Sequence, residues 1–235
     1  MSRHEKRVAA PKSWPIPRKT SVWVVKPRPG PHSKDRSLPL GLIIRDVLRL
    51  ATTLREVKKI LHDGSILVDG RVRRDYKFPV GLFDLIAMPK MDSYYRMLLD
   101  RRGRLELRRL EGKDTRKLCK IVNKTILSGG RVQLNLHDGT NLLGTNEYNT
   151  GDSLILSLPD KEISKHLRFA EGKTAMIIGG KHSGEIGRIA GRRVVRGSAP
   201  NMVRVMIGER EVETPERYVY VIGEDEPEIM IGCSL

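Results

Sequence analysis

The chain has little from which to build a metal centre or a covalent framework. Its 235 residues include two cysteines, Cys119 and Cys233, far apart and without CxxC spacing. Neither a zinc site nor a disulfide scaffold is indicated, and a reducing compartment is expected. The histidines His4, His32, His62, His137, His166 and His182 are scattered with no metal-ligand spacing. No Ser or Cys stands beside a His and an acid in a recognisable nucleophile motif, so no catalytic residue, metal, cofactor or small-molecule substrate is predicted. Aromatic residues make up 5% of the chain, which argues against an extended base-stacking platform for single strands. No apolar run reaches the ~18 residues of a membrane span. The cationic start lacks an apolar leader core before its prolines, so a soluble intracellular protein with no membrane partner is expected.

Acid is the other scarcity. Asp and Glu number 28 against 44 Lys and Arg, a net charge of +16, which favours a polyanionic partner. The imbalance is uneven: residues 1 to 75 hold 18 Lys or Arg against 7 Asp or Glu, residues 76 to 165 hold 16 against 11, and residues 166 to 235 hold 10 against 10. Positive charge is concentrated at the front.

What the chain does carry is clearest between residues 40 and 86. Apolar residues recur at three and four from Leu42 to Ala51, which predicts an amphipathic helix, and a second helix is predicted from Leu54 to about Asp63. Thr53 and Glu56 have the spacing of a capping box, and Gly64 supplies the stop. Leu54, Val57, Ile60 and Leu61 share one face, leaving Arg55, Lys58, Lys59 and His62 for solvent. Ile66-Leu67-Val68 and Arg71-Val72-Arg73 flank Asp69-Gly70, a dipeptide suited to a type I′ turn. The hairpin would carry Arg71, Arg73, Arg74 and Lys77 beside the cationic helix face. Charged helix faces are usually just solvated; here two neighbouring elements share one sign, which points to a phosphate-binding surface.

Residues 1 to 39 are rich in proline and basic residues and poor in apolar ones. Such a segment is expected to be extended and to order only against a partner. Trp14 and Trp23, both within it, either stack on a base or anchor the arm to the protein's own surface. Residues 96 to 165 turn to alternating runs, among them Leu105-Glu106-Leu107, Lys117 to Val122, Arg131 to Leu136 and Ser153 to Leu158, separated by Gly129-Gly130, Asp138-Gly139 and Gly151-Asp152. These predict antiparallel strands. Five further short strands after Phe169 suggest a small barrel. The expected fold is α+β, predominantly β. Its predicted divisions are a basic extension (1–39), a helix-pair-plus-hairpin module (40–95), a central antiparallel β domain (96–165) and a C-terminal small β-barrel (166–235).

Two modules are familiar. Residues 42 to 88 resemble the RNA-binding module first named from bacterial small-subunit ribosomal protein four. Residues 171 to 193 resemble a KOW motif, with Gly172, Gly180, Gly184 and Gly187 punctuating strand, loop and strand. The opening residues 4 to 14, then Pro27-Arg28-Pro29-Gly30-Pro31-His32, Leu38-Pro39-Leu40, Lys117-Leu118-Cys119-Lys120-Ile121, His137-Asp138-Gly139, Gly179-Gly180 and Val219 to Gly223 are similar to the e-type small-subunit ribosomal protein four family of archaea and eukaryotes. The short tail after Gly223 resembles the archaeal members more than the eukaryotic ones, so an archaeal type is expected. This resemblance implies a structural constituent of the small ribosomal subunit, contacting ribosomal RNA and neighbouring small-subunit ribosomal proteins. The candidate RNA-contacting residues are Arg3, Lys6, Arg7, Lys12, Trp14, Lys19, Lys26, Arg28, His32, Lys34 and Arg36 on the arm. Arg55, Lys58, Lys59, Arg71, Arg73, Arg74 and Lys77 on the helix and hairpin join them, as do Lys181, His182, Arg188, Arg192 and Arg193 near the KOW glycines. The acidic residues from Glu209 to Glu228 are expected to face solvent or a basic neighbouring protein.

Some pseudouridine synthases pair the same RNA module with a catalytic domain whose motif is Gly-Arg-Leu-Asp. Gly103-Arg104-Leu105-Glu106 has Glu106 where that aspartate belongs, and too little chain follows. Gly172-Lys173-Thr174 mimics the end of a phosphate-binding loop, but Leu167 stands where the leading glycine is required. An RNA-modifying enzyme and a KOW-type transcription or translation factor remain the alternatives.

Overall fold

A computed structural model describes residues 4 to 229, so the candidate Arg3 and Cys233 lie outside the described residues. The architecture is predominantly β, with three five-stranded antiparallel sheets, two two-stranded pairs and few helical turns. The chain divides into two compact units, one reaching to Leu98 with Arg104–Thr115 added, the other made of Leu99–Gly103 and the chain from Arg116 onward.

In the first unit the helix Leu54–His62 begins where expected. Thr53 Oγ1 accepts the Glu56 N–H at 3.3 Å, and the Glu56 carboxylate accepts the Thr53 N–H at 3.4 Å and the Thr52 N–H at 2.9 Å. These bonds satisfy amides that have no partner within the helix. Val57 and Leu61, one turn apart, are fully buried. Thr53→Ala should cost about 1 kcal/mol in chemical denaturation of the full chain, with Thr53→Ser close to wild type. Equal losses in both variants would show that the cap is not the cause.

The preceding helix differs from expectation. Regular α-helix covers only Leu40–Leu42 and passes into a wider turn, Ile43–Val47, in which the Leu48 N–H donates to Ile43 O at 2.8 Å, five residues back. Arg49 then takes a φ of 54°, which ends the helix short of Ala51. The wide turn brings Leu42, Ile43 and Ile44, three consecutive fully buried residues, into the core together. Packing, rather than the helical period, sets the geometry here.

The hairpin forms from Leu67–Val68 and Arg71–Val72, with Asp69 and Gly70 at φ of 51° and 74° as a type I′ turn requires. Its sheet continues through Leu85–Met88 and Ser93–Leu99 to Leu105–Arg109. The division expected between residues 95 and 96 therefore runs through a strand. Leu105 to Leu107, assigned by sequence to the central domain, edge the first unit's sheet. Alternation identifies a strand without naming its neighbour.

The arm is folded onto this unit rather than waiting for a partner. Glu5–Lys6 pairs antiparallel with Trp23–Val24, and Ala10, Trp14, Ile16 and Val24 are buried. The Leu105 N–H donates to Ser13 O at 2.8 Å. Sparse apolar residues suffice because prolines have already reduced the freedom of the unfolded chain.

The second unit contains two sheets. One runs in the order Asn141–Gly144, Val132–Leu136, Arg116–Ile126, Ser153–Ser157 and Glu162–Leu167, over a core of Cys119, Ile121, Leu134, Leu136, Leu154 and Leu156. The other runs Arg210–Pro215, Met202–Ile207, Ile186–Arg193, Thr174–Ile177 and Val219–Gly223, five strands where five were predicted. Lys120 joins the two: its ammonium donates to Glu216 O at 2.8 Å and Val219 O at 2.7 Å.

Candidate nucleic-acid interface

The second helix turns Val57 and Leu61 inward, so its period leaves Arg55, Lys58, Lys59 and His62 exposed. Arg71 and Arg74 of the hairpin are exposed as well. Tyr76 draws the two elements together: Lys58 Nζ lies 5.0 Å from its ring centroid and Lys77 Nζ 5.6 Å. Arg73 is half-buried, its guanidinium 4.3 Å over the Phe78 ring, and packs more than it presents charge. Helix and hairpin thus form one cationic surface within the first unit.

On the arm, Lys6, Lys12, Lys19, Arg28, Lys34 and Arg36 are exposed and Lys26 is half-buried. Arg28 pairs with Asp75 at 3.0 Å, and Lys34 with Glu5. Three candidates are instead taken up by the fold. Arg7 is buried and donates through Nε to Pro17 O at 2.6 Å and through a terminal nitrogen to Ser21 Oγ at 3.3 Å. Trp14 is 2% exposed, with its indole N–H donating to Lys34 O at 3.3 Å. The His32 ring sits 3.0 Å from the buried Asp84 carboxylate, which also accepts the Gly81 N–H at 2.8 Å. Each contact spans residues distant in sequence, so local pattern carried no sign of it.

In the second unit Lys181 is exposed, and His182 lies 3.0 Å from Glu185. Gly172, Gly180 and Gly184 take positive φ. Gly187 does not; a Cβ there would stand 2.3 Å from Met206 O, so strand approach demands the glycine. The arginines differ from expectation. Arg188 faces Asp225 at 3.7 Å, Arg192 faces Glu216 at 2.9 Å and Arg193 faces Glu213 at 2.9 Å. Glu211, Glu224 and Glu228 face Arg204, Lys173 and Lys165 in the same way. Most of the acidic stretch therefore neutralises its own sheet rather than waiting for a basic neighbour, and the net positive field comes from the first unit.

Two groups escaped the sequence reading. Arg101, Arg102 and Arg109 are exposed, and the run Arg-Arg-Gly-Arg-Leu-Glu-Leu-Arg-Arg would have revealed them had charge been counted over a shorter window. Arg96, Lys117 and Lys120 are buried cations, and no local signal separates them from surface ones.

Lys117 Nζ lies 2.9 Å from the Asp138 carboxylate, with 1% and 3% of the two side chains exposed. Burial pushes the Asp138 carboxyl up, but the Lys117 ammonium, His137 and the Thr140 N–H together outweigh it and hold the group well below the usual carboxylate range. Cys119, His137 and Asp138 place ligand-type atoms within 4.8 Å of one another. The Lys117 ammonium already occupies the electrostatic place a metal ion would take there.

Comparison with known proteins shows the family to which the chain is related. The domain description RS4NT matches residues 1–35, and Ribosomal family S4e matches residues 91–163. Small ribosomal subunit protein eS4 of Archaeoglobus fulgidus is 54% identical over 232 residues, covering 97% of this chain and 98% of that protein. The protein of the same name from Methanocella arvoryzae is 50% identical over 226 residues, covering 96% of each. The crystal structure of 30S ribosomal protein S4e from Thermoplasma acidophilum superposes with a TM-score of 0.70 at 34% identity, covering 81% of this chain and 97% of that one. With sequence likeness running nearly end to end and a shared fold over most of the chain, the chain belongs to the ribosomal protein S4e family.

Proposed function

We propose that this protein is a resident structural constituent of the small ribosomal subunit in the cytoplasm, binding ribosomal RNA and supporting subunit assembly and translation. The observation that carries the reading is the meeting of helix and hairpin cations around Tyr76 in a chain so closely related to small-subunit proteins. Arg55, Lys58, Lys59, Arg71, Arg74 and Lys77 displace counterions from RNA phosphates, with Lys6, Lys12, Lys19 and Arg36 extending the contact along the arm.

Within this reading, residues 40 to 95 act as the ribosomal-protein-four-type RNA module, and the five strands after Phe169 act as a KOW-type barrel. The glycine-rich turn beside Lys181 is that barrel's RNA-facing loop, because Arg188, Arg192 and Arg193 are matched by carboxylates. Neighbouring small-subunit ribosomal proteins are the remaining partners. The protein needs no cofactor for such a role, and Gly103-Arg104-Leu105-Glu106 runs from a turn into an edge strand.

Sucrose-gradient fractionation of native lysate, before and after a high-salt wash, tests the reading. Stoichiometric retention on small subunits is expected. Release into light fractions would overturn residency and return the protein to the class of transient factors.

A further inference from the structure

The turn from Asp100 to Gly103 and the loop from Gly179 to Gly184 both belong to the second unit and meet there backbone to backbone. Gly184 has a φ of 88°, and a Cβ on it would collide with Asp100 O and stand 3.5 Å from the Arg101 Cα. Gly103 has a φ of 70°, and a Cβ on it would lie 2.9 Å from both Cβ and Oγ of the buried Ser183. Each segment fits the other because it lacks a side chain at the crossing. Hydrogen bonds hold both shapes. The Gly103 N–H donates to Asp100 O at 3.0 Å, the Arg102 N–H to the Asp100 carboxylate at 2.8 Å, and the Gly184 N–H to Ile177 O at 2.7 Å.

Three cations stand on the corner so formed. Arg101, Arg102 and Lys181 are exposed, and their side chains have no ion-pair or hydrogen-bond partner among the described residues. The neighbouring sheet behaves differently: Arg188, Arg192, Arg193 and Arg204 each face a carboxylate. An exposed arginine is usually just solvated, but here a unit that supplies carboxylates to four arginines leaves one corner without them. Gly180 is exposed as well, with open space where a side chain would stand, so a bulky strand can approach the loop's backbone. Two guanidinium forks on one tight turn suit the oxygens of phosphate groups.

We propose that this corner is a second grip on RNA, in which Arg101 and Arg102 hold phosphates of the same strand that passes Lys181. The inference rests on the RNA-binding reading. It moves the second unit's main contact from the matched arginines of the sheet to a turn some eighty residues before the glycine-rich loop in the chain. An acidic protein segment is the less suitable occupant, because the exposed residues Arg101, Arg102, Gly180 and Lys181 offer charge and open backbone but no apolar side chain to bury.

Binding of the full chain to small-subunit ribosomal RNA is measured by filter binding across a salt series, with hydroxyl-radical footprinting of the bound RNA. Arg101→Ala with Arg102→Ala should weaken binding roughly tenfold and lower the slope of log affinity against log salt by about 1.5. Arg101→Lys with Arg102→Lys keeps the charge and should restore most of the slope. Loss of slope in both pairs would trace the effect to a disturbed turn and overturn the phosphate contact. In the footprint, the alanine pair and Lys181→Ala should each expose riboses within one short stretch of RNA. Exposure in two unrelated stretches would overturn the shared grip. An unchanged slope in the alanine pair, with wild type still salt-sensitive, would overturn the grip and leave RNA binding intact. If that pair binds RNA as wild type does yet is lost from washed small subunits, the corner belongs to a neighbouring protein and its assignment to RNA falls. No binding by wild type at any salt would overturn the RNA reading together with the grip.

Discussion

Asp138→Asn should destabilise the second unit by roughly 3–5 kcal/mol at neutral pH, because it leaves the Lys117 ammonium buried without its carboxylate. Asp138 also accepts the Thr140 N–H and hydroxyl, both at 3.0 Å, and Asn would keep only part of that. The double variant Lys117→Met, Asp138→Leu removes both charges and should recover much of the loss, since neither desolvated ion remains. Chemical denaturation of wild type and variants measures this directly.

The pH dependence has a definite sign. The folded-state value of Asp138 is depressed, so the pair's contribution is complete above the ordinary carboxylate value of ~3.9 and is lost as pH falls through the lower folded value. The gap between wild type and Asp138→Asn should therefore be widest at neutral pH and narrow in acid below about pH 4. A gap of constant size would mean that lost packing, not lost charge, is responsible.

The second large effect concerns RNA. Arg71→Glu combined with Arg74→Glu should weaken binding to small-subunit ribosomal RNA roughly tenfold to a hundredfold and lower the slope of log affinity against log salt by about 1.5, as expected for two lost phosphate contacts. Arg73 is left unchanged because it packs on Phe78. Arg192→Glu with Arg193→Glu carries the same formal charge change, yet should alter the slope far less, because carboxylates already oppose both residues. Filter binding across a salt series separates the pairs. Equal slopes for the two double variants would remove the hairpin from the interface.

Legibility followed the distance over which each feature is determined. The helix Leu54–His62 and the Asp69-Gly70 turn could be read from sequence because capping, period and turn chemistry act over a few residues. The outward cations of that helix were legible for the same reason. The wide turn at Ile43–Val47 was not, because it answers to packing around three successive buried residues. The arm was misread because an average over proline and lysine hides what Trp14, Ile16 and Val24 do once a sheet lies beneath them. Among site residues, Arg7, Trp14 and His32 carry the right chemistry for RNA but spend it inside the fold. Arg192 and Arg193 stand opposite Glu216 and Glu213, which follow at least twenty residues later, so the charge of their own segment gave no sign of the pairing. The charge of a segment predicts its partner only after its own sheet has been subtracted.

Lys120 brings timing into the picture. Its ammonium, in the middle strand of one sheet, finds its acceptors at Glu216 and Val219, 96 and 99 residues later. A chain emerging from the exit tunnel presents that strand long before those carbonyls exist. Until residues 216 to 219 have been made, burying the Lys120 ammonium would strip it of water without supplying those carbonyls, which opposes early closure around that strand. The last strands to be translated thus license the middle ones to settle, and a protein truncated before residue 216 should be a ready substrate for quality control.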